Sequence, residues 1–114
     1  MLRIAMVALV LSTAPAWAFK PLVCEFALSR EMWRIDSKSM TNIRDGRIAL
    51  APNGEINRLL LTNYERIGSS VGWRIKDAQS WIGIRNRREI ELIEGSTLVR
   101  GTCREATLRD PTPE

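Results

Sequence analysis

Two cysteines, three clustered arginines and the lack of any histidine set the chemistry open to this 114-residue chain. Without histidine there is no Ser-His-Asp or Cys-His catalysis and no His-ligated metal. Cys24 and Cys103 stand 79 positions apart, unlike a C-x-x-C redox pair, and only Arg104 gives either a cationic neighbour. An even cysteine count in a small exported domain reads as a disulfide, and with two residues the pairing is forced. Arg85, Arg87 and Arg88 surround Asn86, a residue suited to a hairpin tip. Such a tip splays three guanidiniums at one end of the fold, where they suit a phosphate, a lipid head group, an acidic glycan or a carboxylate-lined cleft. The plainer alternative is a loop kept soluble by its charge. Glu89 and Glu91, two apart, share the solvent face of a strand rather than opposing each other across a cleft as glycosidase carboxyls do. There is no G-x-S-x-G, P-loop or G-x-G-x-x-G. The sequence therefore points away from an enzyme, and no catalytic, cofactor-binding or metal residue is assigned.

The compartment follows from the start of the chain. Residues 1–18 read MLRIAMVALVLSTAPAWA, with Arg3 as a positive flank, an apolar run from Ile4 to Leu11, and Ala16-Trp17-Ala18 as an A-x-A cleavage site. The apolar run is shorter than the roughly 20 residues that span a bilayer. Val23 before Cys24 does not fit a lipoprotein signal. The expectation is a periplasmic or secreted protein, not membrane-spanning, cleaved after Ala18. Loss of Arg3 lowers the net charge from +4 to +3, and the signs are interspersed. That, with aromatics at apolar positions, argues against nucleic acid as a partner. The cations are 14 Arg against 3 Lys, which suits bidentate contacts but also follows from Arg-favouring codon use.

The elements that would position these residues read as short strands. Leu22, Cys24, Phe26 and Leu28 alternate with Val23, Glu25 and Ala27. Trp33 and Ile35 alternate with Arg34. Asp45-Gly46 between Ile43 and Ile48 signals a short hairpin, and Pro52-Asn53-Gly54 a second turn. Glu55 to Ile67 fits a helix capped by Asn53 and ended by Gly68, with Ile56, Leu59, Leu60, Tyr64 and Ile67 on one face. It also fits a strand buried on both sides, the preferred reading because its neighbours are strands. Gly68 to Gly72 reads as a flexible link. Trp73 and Ile75 point inward, Trp81 to Arg85 forms another strand, and Ile90 and Leu92 point in against Glu89 and Glu91. Glu94-Gly95-Ser96 turns the chain into a last strand, Thr97 to Cys103, with Val99, Gly101 and Cys103 on one face. Trp33, Trp73 and Trp81 belong mostly to the core, with one a candidate for a barrel mouth. The fold class is all-β: one small antiparallel barrel or sandwich of seven or eight strands over residues 19–105, its first and last strands joined by the disulfide. Residues 106–114, with Pro111 and Pro113, are expected to be disordered.

This layout of signal segment, early Cys, small β domain and late Cys resembles the periplasmic inhibitors of C-type lysozyme. That family carries S-x-S-G-x-x-Y and, across a strand, K-G-x-x-A-x-L before its final Cys. Here Ser69-Ser70-Val71-Gly72-Trp73-Arg74-Ile75 and Arg88-Glu89-Ile90-Glu91-Leu92 stand at similar places, followed by Cys103. Val71 replaces the second motif Ser, Ile75 the Tyr, and Arg88-Glu89 the Lys-Gly pair. The resemblance implies an eight-stranded barrel and adds Ser70 to the candidate binding residues Arg85, Arg87 and Arg88, because the family's Ser and Lys enter the lysozyme cleft. Trp33-Arg34-Ile35-Asp36 and Gly101-Thr102-Cys103 are also similar to small exported bacterial β proteins of no assigned activity. C-type lysozymes are basic, so long-range attraction would not steer this basic chain toward one.

The expected function is non-enzymatic binding, inhibitor-like, to a cell-envelope or target protein or an anionic ligand. The alternative is a barrel that binds a small lipid or apolar ligand. No cofactor is expected.

Overall fold

Apolar–polar alternation becomes nine antiparallel strands in the computed structural model, which describes residues 18–113. They are β1 (Leu22–Phe26), β2 (Met32–Ile35), β3 (Ser39–Arg44), β4 (Arg47–Ile48), β5 (Arg58–Ile67), β6 (Ser70–Ile75), β7 (Ser80–Arg85), β8 (Glu89–Glu94) and β9 (Thr97–Glu105). Chain neighbours pair in sequence except β4 and β5, since β5 pairs with β3, and β9 returns to β1. The circuit β1-β2-β3-β5-β6-β7-β8-β9 is thus a closed eight-stranded barrel. β4 pairs only with β3, as a short flap. No helix among the described residues is long and apolar enough to cross a membrane. Except for Ala18, the expected signal segment lies outside the described residues.

The interior is filled by the alternate residues that face inward. Leu22, Cys24, Phe26, Trp33, Ile35, Met40, Leu61, Trp73, Ile75, Ile82, Ile84 and Ile90 form one buried cluster. Cys24 and Cys103 are direct cross-strand partners, their Cα atoms 4.0 Å apart, and the disulfide joins β1 to β9 where the barrel closes. This bond is consistent with an oxidising, exported location. Beside it, Gly101 faces Phe26, and a Cβ there would overlap the Glu25 carbonyl oxygen and lie 2.9 Å from Phe26 Cα. Only glycine admits so close an approach of the two strands.

Several expectations need correction. Gly68 to Gly72 is no flexible link: Ile67 pairs with Ser70 across a two-residue turn, and Ser70 and Gly72 already belong to β6. Ladder bonds on both sides of β6 set this order, against the local glycine content. The segment from Glu55 is a strand, as preferred, but from Arg58 onward; Ile56 bridges Leu50 in the loop before it. Leu28 lies beyond the end of β1, fully in solvent. Trp33 and Trp73 are core, whereas Trp81 stands on the outer wall because β7 turns Ile82 and Ile84 inward.

The tail differs most. Asp110 accepts both Arg104 guanidinium nitrogens at 2.8 and 2.9 Å, Arg34 Nη1 donates to the Pro111 carbonyl at 3.3 Å, and Arg58 Nη2 to the Pro113 carbonyl at 3.1 Å. Composition suggested disorder because the tail has little apolar surface. Its order comes instead from polar anchors that the barrel supplies.

Candidate functional site

One end of the barrel is ringed by the start of β1, the end of β9, the β5–β6 turn and the β7–β8 loop. There a cleft of about 370 Å³ opens among Phe19, Lys20, Tyr64, Arg66, Ser69, Val71, Ile84, Arg87 and Glu105. Each side chain has a local cause. In β5 the pairing shifts between Thr62 and Glu65, and Asn63 takes φ 56°. This bulge inserts one residue and reverses the alternation. Leu61 faces inward before it, and Tyr64 and Arg66 after it. Glu105 keeps the inward phase of Val99, Gly101 and Cys103, opposite buried Leu22. Phe19 caps the floor, its ring edge-on to Trp73 at 5.0 Å, and Tyr64 meets the same indole at 5.4 Å. Trp73 is held from below by its Nε1 donating to the Ser37 carbonyl at 3.2 Å.

Arg87 is the polar centre of this mouth. Asn86 and Arg87 both adopt left-handed φ, 54° and 56°. Asn tolerates this conformation; a long side chain such as Arg rarely visits it. The loop is pinned on two sides, with Asn86 N donating to Ser69 O at 3.0 Å and Cys103 N to Arg88 O at 2.7 Å. The strained turn sends the Arg87 side chain back across the opening. There it donates to the Lys20 carbonyl at 3.0 Å and to Glu105 at 3.3 Å, and its guanidinium lies 5.2 Å from the Phe19 ring centre. A strained non-glycine residue at a cleft rim is a recurrent mark of functional sites.

The four sequence candidates do not converge. Arg85 lies on the outer wall, paired with Glu89 at 2.9 Å, with Ser70 opposite it in register. These two share a shallow cleft with Gly83, Glu89 and Glu91. Arg88 borders a different cleft, with Asn86, Thr102 and Arg104, and forms no ion pair among the described residues. Only Arg87 reaches the mouth. The splayed tip expected from Asn86 is thus a loop folded inward by hydrogen bonds to its neighbours. Phe19, Lys20, Tyr64, Arg66 and Glu105 escaped the sequence reading. The one available signal was Asn63, an unusual strand residue that marks the bulge.

The cleft presents apolar walls under a rim of three cations and one carboxylate, and that carboxylate is already engaged by Arg87. This arrangement suits an anion carried on an apolar body. Comparison of the chain with protein-family models, with curated proteins and with solved structures gives no match.

Proposed function

We propose that this chain is an exported, non-enzymatic binding protein whose barrel mouth takes a small ligand with an acidic group and an apolar body. The observation that carries the reading is the position of Arg87, strained and aimed across an apolar cleft lined by Phe19 and Tyr64, whose rings pack on buried Trp73. The apolar walls supply burial, and the cationic rim supplies orientation. The disulfide supports a periplasmic or secreted setting, with cleavage after Ala18 part of the same proposal.

Octanoate, with octanol as its neutral counterpart, tests this. Octanoate should shift the Trp73 indole N–H signal in a saturable way, and octanol should do so at least tenfold more weakly. Arg87→Ala should remove the preference for the acid while the barrel stays folded. Equal response to both, or none at all, overturns the reading. A second reading, inhibitor-like contact with a protein carboxylate, is favoured by the guanidinium of Arg88, which forms no ion pair among the described residues. It predicts that Arg88→Ala weakens lysozyme inhibition and leaves octanoate binding unchanged.

A further inference from the structure

The outer wall carries a second arginine arrangement, independent of the mouth. Register places Arg104 opposite Val23, Val23 opposite Arg34, Arg34 opposite Thr41, and Thr41 opposite Arg58. One row therefore crosses five strands, β9, β1, β2, β3 and β5. Alternation turns Val23 outward, opposite to Leu22 and Cys24, and yet Val23 is only 2% and Thr41 0% exposed. The segment Asp110–Pro113 spans the row at those positions. Its carboxylate sits on Arg104, its Pro111 carbonyl on Arg34 and its Pro113 carbonyl on Arg58. The three arginines are two strands apart each time, about 10 Å at ordinary strand spacing. Their long side chains converge on the acceptors of one four-residue stretch, Asp110 to Pro113, which at full extension reaches about 10 Å.

The fit is incomplete in a telling way. Among the described residues the buried Thr41 hydroxyl has no hydrogen-bond partner, and buried Arg34 Nε has only its ion pair with Asp36 at 3.4 Å. Prolines at 111 and 113 bring no N–H to this surface. Orphaned buried polar groups are costly, so a segment with a polar group above Thr41 would fit better than the tail does.

We propose that this row is a recognition groove for an extended, carboxylate-bearing segment of a partner protein, and that the tail is its resident competitor. A tethered competitor acts at high effective concentration. The groove opens to a partner that outbids the tail or when the clasp at Asp110 is released.

The experiment uses the full chain, as wild type and as Asp110→Asn. The probe is an amidated synthetic octapeptide with the sequence of residues 106–113, Ala-Thr-Leu-Arg-Asp-Pro-Thr-Pro. The Trp73 indole signal reports that the barrel is intact, and the backbone signals of residues 107–113 report the tail. Asp110→Asn should free the tail and bind the probe at least tenfold tighter than wild type. An Asn-for-Asp probe, or Arg58→Ala in the same chain, should each weaken that binding at least fivefold. A freed tail with no gain in binding overturns the proposal. So does a tail that stays docked in Asp110→Asn, or binding indifferent to Arg58 and to the probe's carboxylate. Should Asp110→Asn fail to fold, Thr107→Ala with Pro111→Gly loosens the tail and keeps its carboxylate, with the same expected results.

Discussion

The mouth and the outer row both depend on arginine, but they hold it by opposite means. Arg87 comes from a three-residue loop and reaches its place through two successive left-handed residues. Arg34, Arg58 and Arg104 come from three strands and are aligned by register, with ordinary backbone throughout. A loop-borne guanidinium is held in place at a conformational cost. Strand-borne arginines have their backbone positions spaced by the sheet register. The mouth is accordingly suited to a small ligand that one group orients, and the row to a short peptide segment held at several points.

Both regions hang on β9, which carries Arg104 on one face and Glu105 on the other. The largest effect should therefore come from damage that strikes them together. Replacing Cys24 and Cys103 by Ala reopens a loop of 79 residues. In the chain-entropy picture this removes about 4–5 kcal/mol. The denaturation midpoint should fall sharply, and mouth and row should be lost in one transition. If the row melts before the mouth, the two are less tightly coupled than the shared strand implies.

Gly101→Ala should come next, at about 1–3 kcal/mol. The added methyl meets β1 backbone at Glu25 and Phe26, which side-chain rotation cannot relieve. Arg104 lies three residues beyond on the same strand, so tail signals should broaden before those of Phe19 do. An unchanged melting temperature would show that β1 and β9 can part at no cost.

Register explains how much of this was legible. Alternation identified the strands, and the turn residues Asp45-Gly46, Pro52-Asn53-Gly54 and Gly95-Ser96 located three connections. The cysteine pair joined the ends. Contiguity misled: Arg85, Arg87 and Arg88 adjoin in the chain but diverge in space, because Arg85 ends β7 on the outer wall and the left-handed Asn86 and Arg87 turn the chain before Arg88. The row was invisible for the complementary reason. Arg34, Arg58 and Arg104 share no local pattern, and their alignment exists only once five strands have fixed registers. The Asn63 bulge also hid the mouth, since it moves Tyr64 and Arg66 to the face that strict alternation denies them.

Asp110→Asn should affect the row and spare the mouth. Its carboxylate is nearly buried, while Arg104 is about half exposed, so the clasp contributes about 1–2 kcal/mol after screening. The bidentate Arg104 contact and the Thr107 backbone N–H hold the Asp110 carboxyl well below the usual carboxylate range. A depressed folded value means the stabilisation is complete above the unfolded pKa, near 3.9, and is lost as pH falls below it. The stability gap between wild type and Asp110→Asn should therefore be constant from pH 7 to 5 and close on further acidification. Asp36 works with the opposite sign. Burial, against the pull of Arg34 and Arg58, raises its carboxyl, so its protonation favours the fold. Asp36→Asn should steepen the acid loss of the wild type, and a shallower loss would contradict this assignment.

The smallest effect separates loop from strand most directly. At Arg87 the left-handed backbone penalises any Cβ, so Arg87→Gly should be more stable than Arg87→Ala by about 1 kcal/mol. At Arg58, the first residue of β5, the backbone is extended, and glycine there adds only freedom to the unfolded chain. Arg58→Gly should therefore be less stable than Arg58→Ala by about 0.5–1 kcal/mol. The two differences have opposite signs, so paired denaturation curves decide the matter even if both are small. Equal signs would mean that Arg87 is not strained, and its aim across the mouth would then need a cause other than the loop's backbone.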